Sequence, residues 1–350
     1  MTGKPLIYDL DRSVLKELLA NWKQPAFRVN QIWDGLYKNL KAEPAEWSNL
    51  PSALKKILAE NTIFQSLSPI DTLISEDGET IKTLFNTLDG KAVEAVLMKY
   101  DQRRTLCIST QAGCAMGCVF CATGQMGFSR SLTVGEIVEQ VLFYARLLSE
   151  DGELVTNVVI MGMGEPFHNY ENTLAAIDRL NDSRGYNLGA RRFTISTVGL
   201  VPMIKRFASE KRQINLAVSL HAANDELRSS LLPINKKYPL NELISACRDY
   251  VDFTGRRITF EWALIQDVND SPQDARQLIN LVRGMLCHVN VIPLNPTHAY
   301  AGKATQVSRA REFAAELAEI GIPCTIRLRR GIDIQAGCGQ LAGQHTDHQK

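Results

Sequence analysis

No run of eighteen apolar residues occurs in this 350-residue sequence, so it contains no candidate for a membrane-spanning helix. The opening stretch "MTGKPLIYDLDRSVLKELL" alternates acidic and basic residues and lacks the apolar core of a signal peptide. The expected location is therefore the cytoplasm, with no membrane partner. An excess of charge of either sign is also missing. Lys and Arg total 39 against 38 Asp and Glu, a net charge of +1, so any nucleic-acid-binding face has to be local. There is no short-period repeat and no low-complexity linker. What remains is 45% apolar and 22% charged, enough for a sizeable core in one large domain or a large domain with a smaller attachment.

Cysteine is not scarce, but its placement is uneven. Of eight cysteines, four crowd into fifteen residues (Cys107, Cys114, Cys118 and Cys121), while Cys247, Cys287, Cys324 and Cys338 are scattered. In a large chain without a signal peptide such crowding reads as a metal or redox site rather than a disulfide framework.

Three segments before residue 61 carry apolar residues at helical spacing: 12–22, 26–40 and 48–60. Over residues 1–61 Lys and Arg outnumber Asp and Glu nine to seven. On composition alone this is an ordinary helical bundle with solvated charges, and an RNA-docking module is the alternative. The period changes over residues 81–98, where "IKTLFNTL" and "KAVEAVLM" flank Asp89-Gly90, a hairpin signal. Glu94 lies in the second run, where by itself it reads as a solvent-facing strand residue. From residue 105 strands alternate with amphipathic helices. The strands are expected at 105–110, 157–161, 192–197, 215–221, 257–265, 288–294 and 324–328. Thr133 with Glu136 forms a capping box, and Ser271-Pro272 starts another helix. The alternation predicts an α/β fold with a parallel sheet or barrel. The polar tail "AGQHTDHQK" reads as frayed.

In such folds the chemistry gathers past the C-terminal ends of the strands. Those ends read Ser109-Thr110, "GMGEP" (162–166), Ser196-Thr197, "SLH" (219–221) and "PLNP" (293–296). Small and polar residues cluster there, as a ligand held across a barrel mouth requires.

The spacing of Cys114, Cys118 and Cys121 is C-x3-C-x2-C. A structural zinc site wants four ligands, usually from two C-x2-C units. Only one such unit is present, and nothing in the spacing recruits His168 or Cys107 as a fourth ligand. An iron–sulfur cubane held by three thiolates leaves one iron open for a substrate or cofactor.

This pattern resembles the signature of the radical S-adenosylmethionine (SAM) superfamily. The resemblance implies one [4Fe-4S] cluster on Cys114, Cys118 and Cys121, with SAM on the fourth iron. The motifs "CISTQAGCAMGCVFCATGQMGFSRSLTVGEIVEQV", "VVIMGMGEPFHNY", "AVSLHAANDELRSSLLPINKKYPL" and "GIDIQAGCGQLAG" narrow it. Over most of residues 89–350 the sequence resembles the RlmN-type RNA methyltransferases, which methylate C2 of adenine in 23S rRNA and in tRNA. The implied fold is a radical-SAM partial (βα) barrel. Its parts would be an N-terminal helical RNA-binding accessory domain (1–80), a β-hairpin linker (81–99), the core barrel (100–333) and a C-terminal segment (334–350).

The resemblance also assigns roles. Cys338 carries a methyl group taken from a first SAM, Cys107 resolves the enzyme–RNA adduct by forming a disulfide, and Glu94 is the proton acceptor. Gly164, Glu165, Ser196, Ser219, Leu220 (through its backbone), His221 and Asn295 are the SAM contacts. Partners implied are 23S rRNA, tRNA and a one-electron reductant such as flavodoxin, with the enzyme a monomer. Cys247, Cys287 and Cys324 match no motif and read as packing residues. RNA contacts are sought in "NKKYP" (235–239), "RLRR" (327–330) and the N-terminal lysines, each of which is equally a solvated face. A Cfr-type enzyme acting at C8 shares the cysteines, and a non-catalytic iron–sulfur or zinc RNA-binding module is the alternative of a different class.

Overall fold

The computed structural model describes residues 3–343 apart from His298 and Leu328. The N-terminal helices form as α1 (Arg12–Asn21), α2 (Arg28–Tyr37) and α3 (Ser52–Asn61). Asp11 starts α1 by accepting from the amides of Ser13 and Val14 at 2.7 and 2.8 Å, which satisfies two donors that the first turn leaves free. The buried stripes of these helices, including Leu19, Ile32, Trp33 and Leu58, join the same apolar core as the rest of the chain.

Strands β1 (Leu67–Ile74), β2 (Thr80–Thr87), β3 (Ala92–Tyr100) and β4 (Arg103–Cys107) pair antiparallel in succession. A small separate hairpin, β5 (Gln111–Gly113) with β6 (Phe128–Ser131), encloses the cysteine loop and the short helix α4 (Ala122–Gln125). After α5 (Val134–Glu150) come β7 (Asn157–Ile160), α6 (Tyr170–Asn181), β8 (Phe193–Thr197), α7 (Val201–Ser209) and β9 (Asn215–Ser219). The chain continues through α8 (Asp225–Leu231), α9 (Leu240–Thr254), β10 (Ile258–Leu264), α10 (Pro272–Val282), β11 (Cys287–Pro293), α11 (Val307–Glu319) and β12 (Cys324–Ile326). The main sheet has the order β1-β2-β3-β4-β7-β8-β9-β10-β11-β12, and every pairing from β4 onward is parallel. Helical crossovers explain that direction, since parallel neighbours cannot be joined by tight turns.

Two boundaries differ from the sequence expectation. Residues 67–74, placed in a helical accessory domain, are instead the edge strand β1. Pro69 and Asp71 hide the strand pattern, and the register shifts between them; an edge position with a bulge tolerates both. The hairpin of β2 and β3 is not a linker either, because it continues the main sheet through β4. The strand expected at 105–110 ends at Cys107, and the last strand is described only to Ile326. Of the tail, Ala342 and Gly343 are held by the protein, and residues 344–350 lie outside the described residues.

Buried polar side chains tie the N-terminal segment to the core. Arg179 on α6 donates to the carbonyls of Tyr8 (2.9 Å) and Leu10 and stacks 5.2 Å from the Trp33 ring. Arg146 on α5 donates to the Leu40 carbonyl and the Tyr8 hydroxyl. Glu139 accepts from the Ser66 amide at 2.9 Å and from its hydroxyl. Each carbonyl left bare in the interior costs about 1–3 kcal/mol. Arg179→Ala is therefore expected to lower stability by about 3 kcal/mol and to expose residues 3–10 to limited proteolysis. Unchanged urea midpoints and cleavage would show that this anchor contributes nothing.

Candidate active site

The turn after β7 is laced to the end of β4. Gly162 N donates to Ile108 O, while Thr110 N and Gln111 N donate to Met163 O at 2.9 and 3.1 Å. Gly164 has φ +103°, and a Cβ there would lie 2.5 Å from Gln111 Cβ. Only glycine fits both the conformation and the space. Next in the chain, Glu165 is buried and its amide donates to Gln111 Oε1. Its carboxylate accepts from Phe167 N and Val198 N at 3.0 and 2.9 Å. Burial raises its pKa to about 7, against the lowering pull of the Val198 amide, the Thr197 hydroxyl and the Phe167 amide.

The cysteine loop lies beside this turn. Cys114 and Cys118 are buried and Cys121 is half-buried. Cys118 packs with Leu231, Leu232, Ile265 and Leu294 in an apolar pocket, with Val119, Phe120 and Tyr300 around it. Cys114 and Cys118 each feel the charge of Cys121, so the three thiols form one electrostatic group. Among the described residues no three His, Cys, Asp or Glu side chains close round a single point as a mononuclear metal site would.

A cavity of about 140 Å³ opens between these elements. Cys118, Cys121, Gly164, Glu165, Ser196, Ser219, His221, Asn295 and Cys338 all line it. Thus six of the seven expected SAM contacts meet at one place. The exception is Leu220, which is fully buried. Its amide donates to Glu261 O, and its carbonyl accepts from Ala222 N and Arg228 Nε. Its backbone groups thus hold the loop and do not open onto the cavity.

His221 sits in the left-handed region at φ +60°, a strained conformation of the kind found at ligand sites. The Ala263 amide donates to its Nδ1 at 2.9 Å, and Asn269 Nδ2 donates to its carbonyl. Burial lowers the imidazole pKa to about 3, helped by the Arg228 guanidinium. The neutral ring with Nδ1 accepting carries its proton on Nε2, a donor. Asn295 offers the opposite function. Its Nδ2 donates to Cys338 O at 3.0 Å, while its Oδ1 is buried with no partner in the protein. A buried acceptor left open at a cavity wall fits a ligand that brings N–H or O–H groups. With the apolar shell around the thiols, this makes the residues present suitable for SAM beside an iron–sulfur cluster.

Cys338 also lines a second, smaller chamber of about 40 Å³, shared with Cys107, Arg327 and Asn295. The two cysteines, 231 positions apart in the chain, therefore face one space. Burial pushes the Cys107 thiol to about 12 and Cys338 to about 11. The two thiols differ in setting: Cys107 is half-buried on β4, whereas the exposed surface of Cys338 faces the two chambers that it lines. Arg327 is the cation that lowers both, while Glu261 raises Cys338. Neither Arg327 nor Glu261 was singled out for this site from sequence. Glu261 was legible as a lone carboxylate inside the apolar strand "ITFEWAL", and it is buried beside Asn290.

Glu94 lines neither chamber. Its carboxylate is 1% exposed and bound instead to Lys82 and to the amides of Ala342 and Gly343. Of the basic groups considered for RNA, Lys236, Lys237 and Arg329 are exposed, whereas Arg330 is stacked on Tyr100 and paired with Glu79. Cys247 and Cys287 are buried and Cys324 is half-buried, away from both chambers.

Comparison with known proteins gives a consistent result. The model of the Radical SAM superfamily matches residues 108–279. The chain is 50% identical over 335 residues to the dual-specificity RNA methyltransferase RlmN 1 of Myxococcus xanthus, covering 96% of this chain and 93% of that protein. It is 47% identical to the probable dual-specificity RNA methyltransferase RlmN of Chloroflexus aurantiacus, covering 97% and 93%. Among solved structures, a radical SAM methyltransferase from Sphaerobacter thermophilus superposes with a TM-score of 0.95 at 51% identity, covering 97% of this chain and 99% of that one.

Two measurements test the site. Gly164→Ala is expected to abolish SAM binding by equilibrium dialysis, and retained affinity would remove the turn from the ligand site. For His221, the unfolded chain takes up a proton below pH 6.5, whereas the native ring does so only near 3. Stability should therefore fall as pH drops through that window, by up to about 1.4 kcal/mol per pH unit. Asn tolerates the left-handed backbone and keeps an acceptor, so urea denaturation of cluster-free His221→Asn should show a shallower decline from pH 7 to 5. Equal slopes would mean that the imidazole is not held neutral.

Proposed function

Because the chain belongs to the RlmN family of dual-specificity RNA methyltransferases, we propose that it methylates C2 of a specific adenine in the peptidyl-transferase centre of 23S rRNA. Its second substrate is the adenine 3′ of the anticodon in a subset of tRNAs. One observation carries the residue-level reading: Cys107 and Cys338 face one chamber that adjoins the cavity lined by two of the three cluster cysteines.

C2 of adenine lies between two ring nitrogens and is too electron-poor to attack the methyl of SAM. A carbon radical can add to it. Cys114, Cys118 and Cys121 would hold the [4Fe-4S] cluster, which with a one-electron donor such as flavodoxin would supply a 5′-deoxyadenosyl radical from SAM. The sulfur of Cys338 first accepts a methyl from one SAM. The radical from a second SAM would take a hydrogen atom from that methyl, and the carbon left on the sulfur would bond to C2. The adduct radical would return one electron to the cluster and lose the C2 proton to solvent, restoring the aromatic ring. The Cys107 thiolate then attacks the Cys338 sulfur. The carbon–sulfur bond breaks with its electron pair on the methylene, which takes up a proton to become the methyl group, a Cys107–Cys338 disulfide forms, and methylated RNA leaves.

The chain's other residues orient these steps. His221 donates from Nε2 and Asn295 accepts at Oδ1, so together they read both faces of a polar ligand. Asn295 also holds the Cys338 carbonyl, which couples SAM occupancy to the position of the methyl carrier. Arg327 places a positive charge beside both thiols and favours the thiolates that the transfer and the resolution need. The N-terminal helices, with Lys236, Lys237 and Arg329, form the RNA-facing basic groups, and the adenine leaves its stack to reach Cys338. The enzyme works as a monomer in the cytoplasm.

Anaerobic assays with reconstituted protein test this directly. Cys338→Ala is expected to reduce RNA methylation to background while SAM cleavage persists. Cys107→Ala should instead accumulate RNA covalently attached to Cys338. Full methylation by Cys338→Ala, or a product methyl located at C8 by mass spectrometry, would overturn the assignment.

A further inference from the structure

Lys82 and Glu94 are buried charges that neither chamber uses. They lie on neighbouring strands of the β2–β3 hairpin. Lys82 pairs with Val96 and Leu84 with Glu94, so the two side chains are diagonal neighbours on one face. That face carries Glu94, Val96 and Met98, and the latter two pack against Met163 and Leu341. The opposite face, with Val93, Ala95 and Leu97, belongs to the main core. The pair thus points at the C-terminal segment. Its side chains are 5% and 1% exposed, and Lys82 Nζ lies 3.1 Å from Glu94 Oε1.

Both charges reach the segment that carries Cys338, from opposite sides. Glu94 Oε2 accepts from the amides of Ala342 at 2.7 Å and Gly343 at 2.9 Å. Lys82 Nζ reaches the carbonyl of Gln335 at 3.4 Å, the outer edge of a hydrogen bond. Gln335 lies three residues before Cys338, and Ala342 four after it. Between these grips, Asn295 holds the Cys338 carbonyl, Ala122 N holds the Gly339 carbonyl, and Thr123 Oγ1 holds the Leu341 carbonyl at 2.6 Å. The loop is tight as well as tied. A Cβ at Gly337 would lie 2.6 Å from Asn295 Nδ2.

We propose that the buried Lys82–Glu94 pair is a clamp that holds the Cys338 loop in register with the cluster helix, and that Glu94 is a positioning residue rather than the acceptor of the C2 proton. Among the described residues, every polar contact of its carboxylate is to the clamp, and none is to either chamber. Burying two charges is costly unless their remaining valences are met, and the amides of Ala342 and Gly343 meet those of Glu94. Loosening either charge therefore releases the loop. The inference rests on Cys338 being the methyl carrier.

Iodoacetamide labelling of the anaerobic, cluster-loaded, RNA-free protein tests the clamp, with each cysteine followed by peptide mass spectrometry. Lys82→Met and Glu94→Gln are both expected to raise the rate at Cys338 on the order of tenfold, the effect of losing one charge-assisted hydrogen bond. The fully buried Cys247 should stay unlabelled, which separates loop release from global unfolding. Both variants should also slow methylation of Cys338 by SAM. Ala342→Pro removes one gripped amide and leaves both charges intact; it is expected to behave likewise and serves if the charge variants do not fold. Unchanged Cys338 labelling in the variants that fold would overturn the clamp. So would an RNA adduct accumulating in Glu94→Gln but not in Lys82→Met, as a proton acceptor requires. If wild-type Cys338 never gains a methyl from SAM, the carrier assignment fails instead, while the labelling result still stands on its own.

Discussion

Ser109 joins three parts of the molecule through four hydrogen bonds, and the site is organised around that junction. Its amide donates to Gln140 Oε1 and its carbonyl accepts from Gln140 Nε2, which fixes the end of β4 on α5. Its hydroxyl donates to the Glu94 carbonyl and accepts from the Met163 amide. One fully buried side chain thereby links the hairpin, the cysteine-bearing connection and the glycine turn. A hydroxyl suits this place because it both gives and takes. Chain leaving a parallel strand has lost its ladder partners, and these bonds replace them without exposing backbone to the cavity.

From that junction outward, burial sets the electrostatics. Glu165 and His221 line one cavity with pKa values displaced in opposite directions, and in both cases burial favours the neutral form. Arg228 belongs to the same scheme. It is fully buried, and it donates to the carbonyls of Val198, Ser219 and Leu220 and to Asn235 Oδ1. It thereby ties the ends of β8 and β9 together. The motif around "NKKYP" owes its Asn235 to this bond, not to RNA, whereas the two lysines that follow are exposed. A cavity with fixed donors and acceptors and a largely apolar wall suits radical chemistry, because loose side chains would intercept a reactive carbon.

The site was legible in proportion to how local its signals were. C-x3-C-x2-C and "GMGEP" are contiguous, and the small residues at the strand ends follow from the parallel architecture, so the cavity wall was largely foreseen. Leu220 does not line the cavity, and sequence shows that its backbone amide exists but not where its hydrogen bond goes. Lys82 carries no local signal, because within its strand it has the pattern of any solvent-facing residue. Burial on one face of the hairpin comes from the C-terminal segment, more than 250 positions away. Strand β1 is not legible in the sequence because Pro69 and Asp71 break its alternation, and only its edge position makes them tolerable.

The sequence by itself determined the fold class, the three-cysteine motif and the glycine turn, since each depends on periodicity or on spacing within a few residues. Tertiary structure alone decided that Cys107 and Cys338 face one chamber, that His221 is neutral, and that Glu94 holds a loop instead of lining the cavity. Those outcomes depend on which groups are brought together and shielded from water. Both are properties of chain closure over hundreds of residues, and no local pattern encodes them.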